Sequence, residues 1–177
     1  HFAVLPLLIN PVDGYVIGNR GPIRGMIEPL MAGFFFDATE SDNKIKFVQR
    51  GRASAVTIPL ADLSAQEGNL GSTPDPFDLT RQQEMELPLE LNVVYLNSAN
   101  NYQPSQQAAR RIAANSQTKV TIQLPIVMSD NKARQVADAM MYSAWQERMA
   151  GSFATSREYA VYEPTDVVTV VSGNASQ

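Results

Sequence analysis

The chain has 177 residues, 44% of them apolar and 18% charged, which is typical of one medium-sized globular domain or two small ones. Its net charge of −4 at pH 7 argues against a dedicated nucleic-acid surface, because such surfaces neutralise phosphates with Lys and Arg. The absence of cysteine excludes disulfides and thiolate chemistry, and no apolar run approaches the roughly 20 residues of a membrane span. The chain begins on His1 rather than Met, which indicates either a residue left by cloning or a fragment of a longer polypeptide, and we expect residues 1–177 to be such a fragment.

Residues 20–34 predict a short N-terminal helix. Their apolar residues recur at helical spacing: Ile23, Ile27, Leu30 and Phe34. Pro29 would clash with the carbonyl four residues back, so we expect a short or kinked helix that begins close to Glu28.

The stretch from Phe34 to Gly51, FFFDATESDNKIKFVQRG, predicts a β-hairpin. Apolar and polar residues alternate on both sides of SDN, so one face is apolar and the other polar. The apolar residues are expected to pack on the preceding helix: Phe34, Phe36, Ala38, Ile45 and Phe47. On the polar face, Asp37 and Thr39 are expected to lie opposite Lys44 and Lys46 in cross-strand pairs.

A Gly- and Pro-rich stretch interrupts the strands in the middle of the chain. RASAVTIPLADL predicts a third strand that stops near Pro59. Residues 64–79 then predict a long loop that joins two subdomains, 14–63 and 80–171.

Two further strands are predicted at residues 87–96 and 119–128, where apolar residues alternate with polar ones. The Asn- and Gln-rich segment between them is expected to hold a short helix at 105–114 or to lie as an irregular excursion.

The C-terminal third predicts a longer amphipathic helix near residues 131–150, with an N-cap at Ser129 or Asp130 and a stop at Gly151. EYAVYEPTDVVTVV then predicts a strand, a turn at Glu163–Asp166 and a further strand. Because the helices are few among many strands, the sequence indicates an α+β fold with mainly antiparallel pairing.

The sequence offers little for catalysis or metal binding. Its only histidine is His1, which argues against a Ser-His-Asp arrangement and a His-ligated zinc. The glycines of GNRGPIRG match neither phosphate-loop pattern. The acidic group Asp37, Glu40 and Asp42 fails the EF-hand spacing and would be solvated at a hairpin tip. We therefore predict no catalytic residue, no cofactor and no metal site.

Three residues are candidates for an interface: Trp145, Arg110 and Arg111. Trp145 lies at helical spacing from Met141 and Met149, which is typical of core packing or of an intersubunit anchor. The two arginines form either a solvated basic pair or a contact with a partner protein.

The order of several motifs resembles a known family. GYVIGNRGPIRGMIEPLMAGFFFDATESDNKIKFVQRGR precedes RQQEMELPLELNVVYLNSANNYQ, which is followed by QLPIVMSDNKARQVADAMMYSAWQER and EPTDVVTV. This series is similar to the phage tail protein domain of the tail-tip or baseplate hub proteins of siphophages and gene transfer agents. The resemblance covers about Gly14 to Val171, and it rests on order and spacing because each motif alone is unspecific.

Two positions depart from the family pattern. Thr165 stands where the family often has glycine, which argues against an obligatory positive φ at that turn. Asn97 stands where an aspartate is usual, which argues against a polar role at that position.

The resemblance implies a virion structural protein of the tail tip, assembled in the bacterial cytoplasm and encoded by a phage, a gene transfer agent or an integrated prophage. Such hubs join the tail tube to host-recognition parts and surround the channel for DNA delivery. The implied partners are other tail and baseplate proteins and, in the particle, two further copies in a homotrimer; a monomer stays open for the isolated fragment. Neither membrane insertion nor specific nucleic-acid binding is expected, and a mildly acidic chain suits a channel that must not hold DNA.

Two other functions stay open. A glycan-binding module would use the Asn- and Gln-rich residues 97–117. A segment of a cell-wall hydrolase would need a carboxylate pair, with Glu40 and Asp42 as the suspects. The chain lacks the alternating strand–helix units of a glycosidase barrel, so we predict that it is not an enzyme.

Overall fold

A computed structural model describes residues 11–18, 20–63, 77–112 and 115–171. Within these ranges the chain forms the following helices and strands: α1 (Ile23–Phe34), β1 (Phe36–Ser41), β2 (Lys44–Gln49), β3 (Val56–Pro59), β4 (Phe77–Arg81), β5 (Pro88–Asn97), β6 (Pro104–Arg110), β7 (Thr118–Met128), α2 (Asp130–Gln146), β8 (Met149–Phe153) and β9 (Val168–Val171). Three of the five strand pairings in these ranges are antiparallel, which confirms the predicted α+β class. Neither helix has the length and apolarity needed to span a membrane.

The core is built on a three-stranded sheet of order β6-β5-β7. β5 pairs antiparallel with β6 and parallel with β7, and both helices pack on the same face of this sheet. Alternate residues of β5 point into the core: Leu91, Val93 and Tyr95. They meet the buried stripe of α2, formed by Ala133, Val136, Ala137, Met140, Met141 and Trp145. The strands predicted at 87–96 and 119–128 are therefore confirmed.

Both ends of α2 are hydrogen-bonded to β5. In the first turn of the helix, the carboxylate of Asp130 accepts hydrogen bonds from the Tyr95 hydroxyl and from Asn97 Nδ2, the latter at 2.6 Å. At the other end, Trp145 Nε1 donates to the carbonyl of Pro88 at 3.0 Å. The helix therefore runs antiparallel to the strand beneath it. The prediction that Asn97 has no polar role is wrong, because its side chain is buried and bonded.

The prediction of α2 is right at its start and wrong at its end. Ser129 is the N-cap, and its hydroxyl accepts a hydrogen bond from the Lys132 N–H at 3.4 Å. The helix ends at Gln146, however, and Gly151 lies in β8, which pairs antiparallel with β4. A Cβ at Gly151 would lie 2.8 Å from the end of the Phe77 ring on β4, so glycine here leaves room for cross-strand packing and does not stop a helix.

β4 begins at Phe77, inside the loop predicted at 64–79. The rest of that loop lies outside the described residues, so the linker and the two subdomains stay predictions. Contacts join the ranges 14–63 and 80–171, because β3 pairs parallel with β9 and α1 packs on β7.

α1 begins at Ile23, five residues before the predicted start at Glu28, and it includes Pro29. The proline removes one helical hydrogen bond. In the same part of the helix the Tyr15 hydroxyl donates to the Met26 carbonyl at 2.6 Å, and this bond anchors the turn. Tertiary contacts with β7 thus override the local preference against a helix.

The predicted hairpin is formed by β1 and β2. Asp42 and Asn43 form its two-residue turn, both with positive φ (51° and 56°), which is the type I′ geometry that suits the twist of a hairpin. Thr39 lies opposite Lys46, as predicted. Asp37 lies opposite Val48 rather than a lysine.

The apolar face of the hairpin is less buried than predicted. Phe36 is buried and meets Phe47 edge-to-face at 5.6 Å between ring centroids. Phe34 belongs to α1, whereas Ala38 and Ile45 are exposed. The helix therefore covers the base of the hairpin and leaves its outer half in solvent.

The Asn- and Gln-rich segment is mainly a strand. Residues 104–110 form β6, and neither the predicted helix at 105–114 nor the irregular excursion is present in the described part of that segment. Pairing with β5 places Ala109 in the core while its neighbours face solvent. The pattern of small and amide residues gave no apolar signal for this strand.

The C-terminal region also differs from its prediction. Arg157–Val161 forms a 3-10 helix instead of a strand, whereas β3 ends at Pro59 and the last strand is present, both as predicted. The predicted turn is closed by a hydrogen bond from the Asp166 N–H to the Glu163 carbonyl at 3.1 Å. Thr165 has a φ of 84°, so the turn has the positive φ that the threonine in place of glycine argued against as a requirement.

Thr165→Gly is expected to raise the free energy of unfolding by about 1 kcal/mol, because a β-branched residue is strained at positive φ and glycine is not. Urea unfolding followed by circular dichroism measures the change. Thr169→Gly, within β9, is the matched control and should destabilise the protein, since glycine weakens a strand. A urea midpoint for Thr165→Gly at or below that of the wild type would show that the positive φ of Thr165 does not destabilise the protein.

Candidate interaction surface

A cleft opens beside the C-terminal end of α2, and we call it the arginine cleft. It encloses about 220 Å³ and is lined by Arg111, Tyr142, Trp145, Gln146, Arg148 and Met149. Its walls come from the end of β6, the last turns of α2 and the start of β8, so the packing of α2 on the central sheet creates it.

Trp145 forms the floor of the arginine cleft. Only 6% of its surface is exposed, and its indole N–H is bonded to Pro88. The guanidinium of Arg111 lies over its ring, 4.2 Å from the centroid, which is a cation–π contact. Trp145 is thus a packing residue within this chain, and its role as an intersubunit anchor stays a prediction.

Arg110 and Arg111 do not form a joint basic pair. Arg110 lies opposite Glu90 in the β5–β6 ladder, on the sheet face away from α2, whereas Arg111 lies on Trp145. The pKa of the Glu90 carboxyl is lowered mainly by hydrogen bonds from Asn92 and Lys119, with a smaller contribution from Arg110. The predicted interface role therefore fits Arg111 through the cleft, and for Arg110 it would need the opposite face of the sheet.

The outer part of the arginine cleft is exposed and positively charged. Tyr142 is 64% exposed and Met149 is 52% exposed, and the Tyr142 hydroxyl accepts a hydrogen bond from Gln146 Nε2 at 2.8 Å. In the part of the chain that the structure describes, neither Arg111 nor Arg148 has a carboxylate within 4.0 Å. The cleft thus combines two cations with exposed aromatic and thioether groups, a composition enriched in protein interfaces.

The acidic residues of the hairpin do not converge on one point. Asp37 binds Arg50 through two hydrogen bonds of 2.8 and 2.9 Å at the base of the hairpin, whereas Asp42 lies in the turn and Glu40 is exposed between them. Among the described residues, no group of three His, Cys, Asp or Glu side chains has an arrangement that could hold a metal ion.

A different cluster forms where the hairpin meets the C-terminal turn. Lys46 Nζ lies 2.9 Å from one oxygen of Glu163, and the Ser41 hydroxyl donates to the other. The pKa of Lys46 is raised, chiefly by its hydrogen bond to Glu163, and the charges of Asp42 and Asp166 add to the effect. The pKa of Glu163 is lowered, first by the Ser41 hydroxyl and then by Lys46. We call the carboxylates of Asp42, Glu163 and Asp166 the acidic patch.

Sequence reasoning named two residues of the arginine cleft, Arg111 and Trp145, but it did not bring them together, and it missed the acidic patch. Ser41 and Glu163 are separated by 122 positions, so no local pattern could have paired them. Tyr142 gave a usable signal, because it falls outside the apolar stripe of α2 and an aromatic residue on the polar side of a helix is exposed.

The fold and these surfaces define a small α+β domain whose charged groups form ion pairs and candidate contact surfaces. The chain belongs to the family described as "Putative phage tail protein", whose model matches residues 22–177. This confirms the resemblance found in the sequence.

The comparison with solved structures finds a similar fold in a virion protein. A chain of the "Virion of native gene transfer agent (GTA) particle" matches with a TM-score of 0.80 and 21% sequence identity, over 90% of this chain and 35% of that chain. At this identity the match shows a shared fold, and the present chain spans about a third of the virion chain. No curated protein matches this sequence.

Glu163→Gln is expected to lower stability at neutral pH and to make little difference once the pH falls well below 4.5. The folded-state pKa of Glu163 is depressed, so its contribution is present above its unfolded value of 4.5 and is lost as the pH falls through the folded value. The free energy of unfolding in urea, measured as a function of pH, tests this. Glu40→Gln, which removes an exposed carboxylate of β1 next to Ser41, is the control. If the free energy of unfolding changes with pH in the same way for the wild type and for Glu163→Gln, the pKa of Glu163 is not lowered in the folded protein.

Arg111→Ala is expected to change the fluorescence of Trp145, the only tryptophan, and to lower stability by about 0.5–1 kcal/mol through loss of the cation–π contact. Emission spectra and urea unfolding measure the two effects. Arg110→Ala removes the same charge from the preceding residue, which does not lie over the Trp145 ring, so its emission spectrum should match that of the wild type. Equal spectra for both variants would show that Arg111 does not cover the indole in solution.

Proposed function

We propose that this chain is part of a hub at the tail tip or baseplate of a phage or phage-like particle. There it links the tail tube to host-recognition parts and surrounds the channel through which DNA is delivered. The observation that carries the proposal is family membership over residues 22–177, joined to a fold shared with a gene transfer agent virion chain. Because that chain is longer, residues 1–177 would be one segment of a larger hub polypeptide assembled in the bacterial cytoplasm.

The charge of the chain supports a place beside a DNA channel. A net charge of −4 repels phosphates, so DNA would pass without being held. The partners are then other tail proteins and copies of the same chain, arranged as a homotrimer with cyclic symmetry.

The ionisation of the carboxylates favours a structural function over hydrolysis. A glycosidase needs a general acid whose pKa is raised. The pKa values of Glu90 and Glu163 are both lowered, chiefly by hydrogen bonds and also by lysines, so neither carboxyl suits that role. Such groups stay ionised and act as ion-pair partners.

Labelling of the chain within its own particle tests the proposal. A peptide tag added after Gln177 and bound by gold-conjugated antibody should be seen by electron microscopy at the distal end of the tail. A matched tag on a tail-tube protein of the same particle should label the whole length of the tail and serves as the control. Label on the capsid, or along the tube, would contradict a hub position.

A muralytic assay separates the hydrolase alternative. The purified chain is expected to release no peptidoglycan fragments above a heat-denatured control. Turnover that Glu40→Gln or Asp42→Asn abolishes would contradict the structural proposal and assign the hairpin tip as a catalytic site.

A further inference from the structure

Lys119, Glu90 and Asn92 meet on the face of the central sheet that points away from α2. Glu90 lies opposite Lys119 in the β5–β7 ladder, and Asn92 follows Glu90 by two residues on the same face of β5. One carboxylate oxygen of Glu90 lies 3.3 Å from Lys119 Nζ, and the other accepts a hydrogen bond from Asn92 Nδ2 at 3.2 Å. A single carboxylate therefore joins a primary amine to a side-chain amide.

A β-bulge in β5 creates this arrangement. Pro88 pairs with Thr118 and Glu90 pairs with Lys119, so two residues of β5 are used for one residue of β7. In a regular ladder Lys119 would lie opposite residue 89 instead. Bulges are common next to active sites, where they re-aim a side chain. Here the extra residue brings Lys119 to Glu90 and leaves Asn92 diagonal to it, which is within reach of a long side chain.

Asn92 is buried, with 7% of its surface exposed, and its side chain is incompletely bonded. In the part of the chain that the structure describes, its Oδ1 has no hydrogen-bond partner. Buried polar groups are nearly always bonded, so an exception calls for an explanation, of which a catalytic role is one. Burial also limits the access of water, which would otherwise compete as a nucleophile for the amide carbon.

The protonation of the other two groups suits a reaction between them. The pKa of the Glu90 carboxyl is lowered, chiefly by the hydrogen bond from Asn92 and then by that from Lys119, so it is ionised at neutral pH and can accept a proton. The Lys119 side chain is 64% exposed, so its amine exchanges protons with water and can react in its neutral form. Amine and amide are held on one carboxylate, which gives their reaction the rate advantage of an intramolecular step.

We propose that Lys119 and Asn92 form an isopeptide bond between β5 and β7, with Glu90 as the catalytic residue. Neutral Lys119 Nζ attacks Cγ of Asn92, and a C–N bond forms. Glu90 takes a proton from the attacking nitrogen and gives a proton to Nδ2, whose bond to Cγ then breaks. Ammonia leaves, and Glu90 is again a carboxylate. Counted from the ammonium form of Lys119, the products are one amide and one ammonium ion.

The bond would staple the core sheet in a chain that has no cysteine for a disulfide. It joins two strands that are neighbours in space and distant in sequence, so it constrains the unfolded chain as a disulfide does. The reaction takes place once in each chain, so it is a self-modification rather than enzymatic turnover. It is independent of the proposed hub function, and either can fail without the other.

Mass spectrometry of the purified full chain tests the bond. The intact mass is expected to lie below the value calculated from the sequence by one ammonia, and mildly alkaline incubation should complete the loss because it raises the fraction of neutral amine. Trypsin does not cut after an acylated lysine, so the digest should contain residues 82–110 joined to residues 112–132, with no cut after Lys119. Fragmentation of this branched peptide should locate the bond at Asn92.

Three variants, each checked for folding by circular dichroism, identify the groups involved. Lys119→Arg keeps the positive charge beside Glu90 but has no free amine, so its mass should equal the calculated value. Glu90→Gln cannot accept the proton and should slow the loss of ammonia by about a hundredfold. Lys46→Arg is the matched control, since it removes the amine of another lysine paired with a glutamate, and it should lose ammonia as the wild type does.

Three results would overturn the inference. The first is the full calculated mass for the wild type after alkaline incubation. The second is loss of ammonia that persists in Lys119→Arg, which would place the reaction elsewhere in the chain. The third is an equal rate for Glu90→Gln and the wild type, which would remove Glu90 from the reaction.

Discussion

The attachment of α2 to β5 at both of its ends is the constraint on which the rest of the structure depends. Asp130 is held by Tyr95 and Asn97 at one end, and Trp145 is held by Pro88 at the other. These bonds lie at the edge of the apolar core, where a buried polar group without a partner would cost about 1–3 kcal/mol. The helix therefore has one position on the sheet, and the apolar stripe between its ends packs in a single register.

The position of α2 determines the surface as well as the core. The end of the helix that is bonded to Pro88 carries Tyr142 and Trp145 into the arginine cleft, beside Arg111 at the end of β6. A chain that acts by assembly needs contact surfaces that keep their shape before the partner arrives, because ordering them on contact would weaken binding. The hydrogen bonds that fix α2 on the sheet meet this need at the arginine cleft, and the proposed hub function uses the surface in this way.

The sequence predicts those parts of the fold in which burial follows a regular period. β5, β7 and the start of α2 were predicted because their apolar residues face one core. β6 was missed because its Gln and Ala residues become a strand only through pairing with β5. The positive φ of Thr165 was missed because threonine gives no local signal for it. The acidic patch was missed for a similar reason, since it joins residues that are distant in sequence.

A reconstruction of the intact particle by electron cryo-microscopy, at a resolution that shows side chains, tests the central claim most directly. The account predicts copies of this fold in a closed ring at the distal end of the tail, with the channel for DNA inside the ring. It also predicts that α2 lies on β5 as in the isolated chain. The same fold found stacked along the tail tube or in the capsid, or a single copy outside the channel wall, would contradict the account.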